Sequence, residues 1–127
     1  MRTLIPIALT LLFACHKTHY SSDCTRAVPL APPWDTMKLP LDGNSRVCSS
    51  NDLKTDVEHL DGDRAGWEGR YDQAMTALGY TKERCSSTSC SYTRTGERVS
   101  VQVNQVAAGK KAKTIVHLNR TPAPPPT

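Results

Sequence analysis

The sequence predicts an α+β domain, with one amphipathic helix packed on a four- or five-stranded antiparallel sheet. Three observations carry that expectation. Apolar residues recur at helical spacing at Trp67, Tyr71, Ala74, Met75 and Leu78. On both sides of that segment, shorter runs alternate apolar and polar residues with the period of two of a half-buried strand. Short turn signals separate the later runs, which favours a meander over crossover connections.

Taken in order, Asp42-Gly43-Asn44 reads as a turn and residues 46–49 as a short strand. A clearer strand follows over 52–60. Leu53, Thr55, Val57 and His59 fall on one face, and Lys54, Asp56 and Glu58 on the other. Parity thus puts His59 at the end of the apolar face, in a capping or packing place. Asp61-Gly62-Asp63 turns the chain and offers a helix cap. The helix is expected over 63–78, although Gly66 and Gly69 each weaken it by about 1 kcal/mol relative to Ala. Gly79 stands at the C′ position, where glycine commonly ends a helix.

The remaining segments alternate. Residues 80–85 and 90–95 form a hairpin around Ser86-Ser87-Thr88-Ser89. Residues 98–106 set Val99, Val101 and Val103 against Ser100, Gln102 and Asn104, and 113–118 closes the sheet. Between these last two runs, Lys110, Lys111 and Lys113 read as a soluble hairpin tip that protects a sheet edge, rather than as a lipid contact.

The two ends read differently. Residues 1–3 are a short positive segment, and residues 4–13 form an apolar run too short for a transmembrane helix, which needs roughly 20 residues. That run has the length of a signal-peptide core. Leu12-Phe13-Ala14-Cys15 has Leu at −3, a small residue at −1 and Cys at +1. This resembles the lipobox of bacterial lipoproteins, with Phe13 bulkier than the usual residue there. The resemblance covers residues 1–15 and implies diacylglyceryl transfer to the Cys15 sulfur and cleavage before it. His16 after the cysteine resembles an outer-membrane address rather than an inner-membrane one. The domain organisation that follows is a signal at 1–14, a lipid-anchored flexible tether at 15–38, a folded domain at 39–120 and a proline-rich tail at 121–127. Pro29, Pro32, Pro33 and Pro40 stiffen the tether, and Trp34 within it is expected to pack on the domain edge.

Removal of the signal takes Arg2 with it, leaving 15 basic residues against 12 acids, a net charge of +3. That balance is too mild for nucleic-acid binding, and no stripe of basic and aromatic residues supports it. With Cys15 assigned to lipid, Cys24, Cys48, Cys85 and Cys90 remain, an even set in an oxidising compartment. The serine-rich turn favours Cys85 with Cys90, which leaves Cys24 for Cys48. A single C-x₄-C with scattered histidines is a weak match to zinc spacing, so these cysteines read as structural and no metal or cofactor is expected.

No catalytic motif stands out. Glu58, Asp61 and Asp63 around His59 are the best candidates for acid–base or metal chemistry, and their spacing does not fit an EF-hand loop. Cys48 as a nucleophile with His59 or His117 is the weaker choice, given its disulfide role. Two readings result. In the first, the chain is a lipid-anchored, non-enzymatic envelope protein that binds an envelope protein or cell-wall component through a sheet face or edge. In the second, it is a small envelope hydrolase or metal-binding protein built on His59 and its acids. The two differ on whether Glu58, His59, Asp61 and Asp63 converge.

Overall fold

Among the described residues, six antiparallel strands, rather than four or five, form the sheet behind one α-helix. The computed structural model describes Cys24, residues 26–108 and residues 111–122. Cys15, the signal segment, Lys110 and residues 123–127 lie outside the described residues. The strands are β1 (Ser45–Ser50), β2 (Lys54–His59), β3 (Thr81–Cys85), β4 (Ser89–Arg94), β5 (Glu97–Ala108) and β6 (Lys111–Pro122). The helix α1 (Arg64–Ala77) joins β2 to β3, and a 3-10 turn, Trp34–Thr36, precedes the sheet. Spatial order is β1-β2-β6-β5-β4-β3, so the last strand is inserted between β2 and β5. The short run read as a strand at 46–49 is part of β1, which pairs with β2 although Val47 is its one buried apolar side chain, and with it every alternating run joins the sheet.

Each element has a local cause. Asp63 caps α1 by accepting the Gly66 amide at 2.8 Å, and Trp67, Tyr71 and Met75 form its buried stripe. Gly79 ends the helix at φ 94°, in the left-handed region where a Cβ is disfavoured. Val99, Val101 and Val103 on β5 and Val116 and Leu118 on β6 face the helix. Thr55, Val57 and His59 continue this face on β2. Leu53 does not join them. It precedes β2 in the turn and is 46% exposed, while Asn51 closes that turn through the Leu53 and Lys54 amides.

The segment read as a tether up to residue 38 contributes to the core. Trp34, Met37 and Leu39 are buried with the strand valines. The Val28 amide donates to the Val47 carbonyl at 3.0 Å, and the Ala31 amide to Ser50 Oγ at 2.9 Å, so this segment covers the β1 edge. Proline explains the difference: it removes backbone donors and fixes an extended path but does not prevent the residues between from packing. At the opposite edge, all five residues of β3 are exposed. No helix among the described residues is long and apolar enough to cross a membrane.

Disulfides join Cys24 to Cys48 and Cys85 to Cys90. The first holds the covering segment to β1, and the second closes the hairpin between cross-strand partners. Loops spanning 24 and 5 residues predict different costs on removal. Serine at both positions should cost about 3.5 kcal/mol for the first pair and about 2 kcal/mol for the second. Urea midpoints of the two double variants check that order.

Candidate functional site

Glu58, His59, Asp61 and Asp63, whose convergence would separate the two readings, each have different partners, and Glu58 and His59 point to opposite faces of the sheet. His59 ends β2 on the helix side and is fully buried. Its ring stacks on Trp67 with centroids 3.6 Å apart, and both nitrogens have partners. Nε2 lies 2.8 Å from the Tyr71 hydroxyl and Nδ1 lies 2.8 Å from Ser45 Oγ. The Ser45 hydroxyl donates to Asp42 Oδ1 at 2.9 Å, so its one proton is committed. It must therefore accept from His59 Nδ1–H, which leaves the Nε2 lone pair to accept from Tyr71. The result is a directional chain, Tyr71 to His59 to Ser45 to the Asp42 carboxylate, with the imidazole neutral. Burial pushes His59 down to about 4 against the pull of Asp42 and Asp61, and burial also raises the Tyr71 phenol. The turn amide of Asn44 and the Ser45 hydroxyl hold the Asp42 carboxyl below its ordinary value.

Glu58 points through the sheet to the opposite face. It is 3% exposed and meets Lys113 Nζ at 2.6 Å. Asp61 accepts from the Asn44 side-chain amide at 3.1 Å, and its carbonyl accepts the Trp67 indole N–H at 2.7 Å. Asp63 is the helix cap. These are structural engagements, each with a different partner.

The face away from the helix carries a polar network that sequence reasoning missed. Asp56 Oδ1 accepts from His117 Nδ1 at 2.6 Å, and Oδ2 accepts from Ser49 at 2.8 Å. Burial works against ionisation of Asp56, but these two hydrogen bonds outweigh it and hold the carboxyl below its usual value. Asp56 and His117 are Cα partners across the β2–β6 pairing, 61 residues apart in the chain. The order of the groups decides what they can do. A nucleophilic serine must hydrogen-bond to the imidazole that removes its proton, whereas here Ser49 binds the far oxygen of the carboxylate. Gln102 stands opposite His117 on β5. The set orients an imidazole and does not activate a hydroxyl.

On the same face, Cys24 Sγ, Cys48 Sγ and a Glu58 oxygen lie within 4.8 Å of one another. Metal binding by cysteine requires thiolates, and these two sulfurs are bonded to each other. Arg46 Nη1 donates to the Cys24 carbonyl at 2.8 Å, which places another cation beside the disulfide.

The described residues also form a groove of about 430 Å³ between α1 and the β3–β4 hairpin. Its helix wall is Ala65, Glu68, Gly69 and Asp72, and its floor includes Val101 and Val103. Asp72 is engaged by Lys82 Nζ at 3.0 Å and by the Tyr92 hydroxyl at 2.8 Å. Burial opposes ionisation of Asp72, yet these partners keep its carboxyl below the ordinary value. Compared with protein-family models, curated proteins and solved structures, the chain matches none.

Proposed function

We propose that the chain is a lipid-anchored protein of a bacterial cell envelope, on the outer membrane by preference, that acts by binding rather than by catalysis. Cys15 carries the lipid and the membrane contact, and the folded domain engages an envelope protein or cell-wall component. The observation that supports binding is the dispersal of Glu58, His59, Asp61 and Asp63 into a salt bridge, a stacked core position, a turn and a helix cap. The hydrolase or metal-binding alternative required those groups in one place.

The Cys24–Cys48 link gives the anchor a mechanical meaning. It ties the domain to the chain nine residues after Cys15. Fully extended, that leash reaches about 30 Å, so partners would be met close to the membrane surface.

Intact mass of the protein from membranes of its host, alkylated with and without reduction, tests the anchor. A chain beginning at Cys15 with added acyl mass, and with four alkyl groups gained only after reduction, is expected. Unprocessed length, or an unmodified Cys15 thiol, overturns it.

A further inference from the structure

The side of the sheet facing away from α1 brings two sulfurs and a carboxylate together. Cys24 Sγ, Cys48 Sγ and a Glu58 oxygen lie within 4.8 Å of one another, the one group of this kind among the described residues. Each comes from a different part of the fold. Cys24 stands at the start of the covering segment, Cys48 is on β1 and Glu58 is on β2. A bulge aims Cys48. Val47 pairs with Val57 and Ser49 with Asp56, so Cys48 falls between them in the register and its side chain shares the Glu58 face.

Glu58 is the unusual member. It is 3% exposed, and Lys113 Nζ bonds to its Oε2 at 2.6 Å. Among the described residues Lys113 is the one partner of that carboxylate, which leaves Oε1 for a second cation. Buried charges are either paired or coordinate metals. While the disulfide is closed, Lys113 balances Glu58 alone. Opening it would add two thiolates and leave Lys113 facing three negative charges. A divalent cation then restores neutrality.

The geometry suits zinc. Bonds of about 2.3 Å to sulfur and about 2.1 Å to oxygen put tetrahedral ligand atoms about 3.6–3.8 Å apart, inside the span that these three atoms occupy. The backbone is held there without the disulfide. Arg46 Nη1 donates to the Cys24 carbonyl at 2.8 Å, and the Val28 amide donates to the Val47 carbonyl at 3.0 Å. Rotation of the two cysteine side chains is the movement required.

We propose that reduction of Cys24–Cys48 turns this cluster into a zinc site, with both thiolates and Glu58 Oε1 as ligands and water in the fourth position. A dithiol supplies two electrons and two protons. The S–S bond of the protein breaks, both sulfurs become thiols, and the reductant closes its own disulfide. Zinc displaces the two thiol protons to solvent and forms two Zn–S bonds and one Zn–O bond, with its own oxidation state unchanged. The metal thereby replaces the disulfide as the clasp between the covering segment and β1. This goes beyond the binding reading above and does not depend on it.

The test takes the processed chain with Cys15→Ser, oxidised or fully reduced with a phosphine under argon, and titrates it with Zn²⁺ or Co²⁺. The reduced chain should take up one ion, show near-ultraviolet thiolate-to-cobalt absorption and gain thermal stability with Zn²⁺, while the oxidised chain does none of these. Cys85→Ser/Cys90→Ser should retain the uptake and Cys24→Ser/Cys48→Ser should abolish it. Glu58→Gln, and Glu58→Gln/Lys113→Gln, which leaves no lone buried charge, should each weaken Zn²⁺ binding at least about tenfold. Equal uptake by the oxidised chain, uptake that follows Cys85 and Cys90, affinity unchanged in both Glu58 variants, or a reduced chain that stays unfolded with Zn²⁺ present overturns the inference.

Discussion

Replacing His59 with alanine should cost about 4 kcal/mol, measured by urea unfolding near pH 7. The ring is fully buried and stacked on Trp67, so truncation leaves a cavity that the sheet and helix can only partly close. It also removes the acceptor of the buried Tyr71 hydroxyl and the donor to Ser45. An unpaired buried hydroxyl alone costs about 1–3 kcal/mol, and the cavity adds a similar amount. His59→Gln keeps a polar group at the site and should lose less. A loss under about 1 kcal/mol for the alanine variant would mean that the stack contributes little.

The same residue makes stability depend on pH with a definite sign. The unfolded imidazole takes a proton below about 6.5, whereas the buried one resists until about 4. The unfolded state therefore binds more protons between those values. Stability is full above pH 6.5 and falls as pH drops towards 4, by up to about 3 kcal/mol. Protonation would also replace the Nε2 acceptor with a donor facing the Tyr71 hydroxyl. The carboxyls of Asp42, Asp56, Asp72 and Glu97 are all held below their ordinary values, so their contribution starts to fade near 3.8 for the aspartates and 4.5 for Glu97, at the acid end of the histidine window, and is lost as pH falls further. Glu97 has its Tyr80, Arg94 and Arg120 partners to oppose the effect of burial. Urea midpoints of wild type and His59→Gln at pH 7 and 4.5 separate the two causes. The variant should show a much shallower decline, and equal declines would remove His59 as the source.

What could be read from the chain alone was whatever has a period or a local turn. The Trp67–Tyr71–Met75 stripe, the Gly79 stop and the Val99–Val101–Val103 alternation depend on neighbours a few residues apart, and each appears in the structure. Parity also put His59 on the apolar face. It could not reveal the stack, because that depends on the phase of α1 above β2. The Asp56–His117 pair was hidden for a related reason. Both residues lie on polar strand faces, but they become neighbours only because β6 returns to pair with β2. The strand pattern leaves that order open. The groove depends on what Ala65 and Gly69 lack, and a missing side chain gives no periodic signal.

Trp34→Ala should be among the most damaging single changes, at about 4 kcal/mol. Its position among prolines suggests a side chain resting on an edge, but its exposure is 0% and its indole N–H donates to the Asn51 carbonyl at 2.7 Å. That carbonyl belongs to the turn between β1 and β2, so the tryptophan joins the covering segment to the first hairpin. Met37 and Leu39 follow it into the same core. A domain of this size has a total stability of about 5–10 kcal/mol, so the change removes a large part of it. Trp34→Phe retains most of the apolar bulk and loses the hydrogen bond, so about 1–2 kcal/mol is expected. Unfolding followed by far-UV circular dichroism, with Trp67 left in place, measures both variants. A large loss for alanine and a small one for phenylalanine would establish that the folded unit starts before residue 34, and that the Cys24–Cys48 bond closes a packed segment. Near-wild-type stability in both would make that segment a spacer held by the disulfide alone.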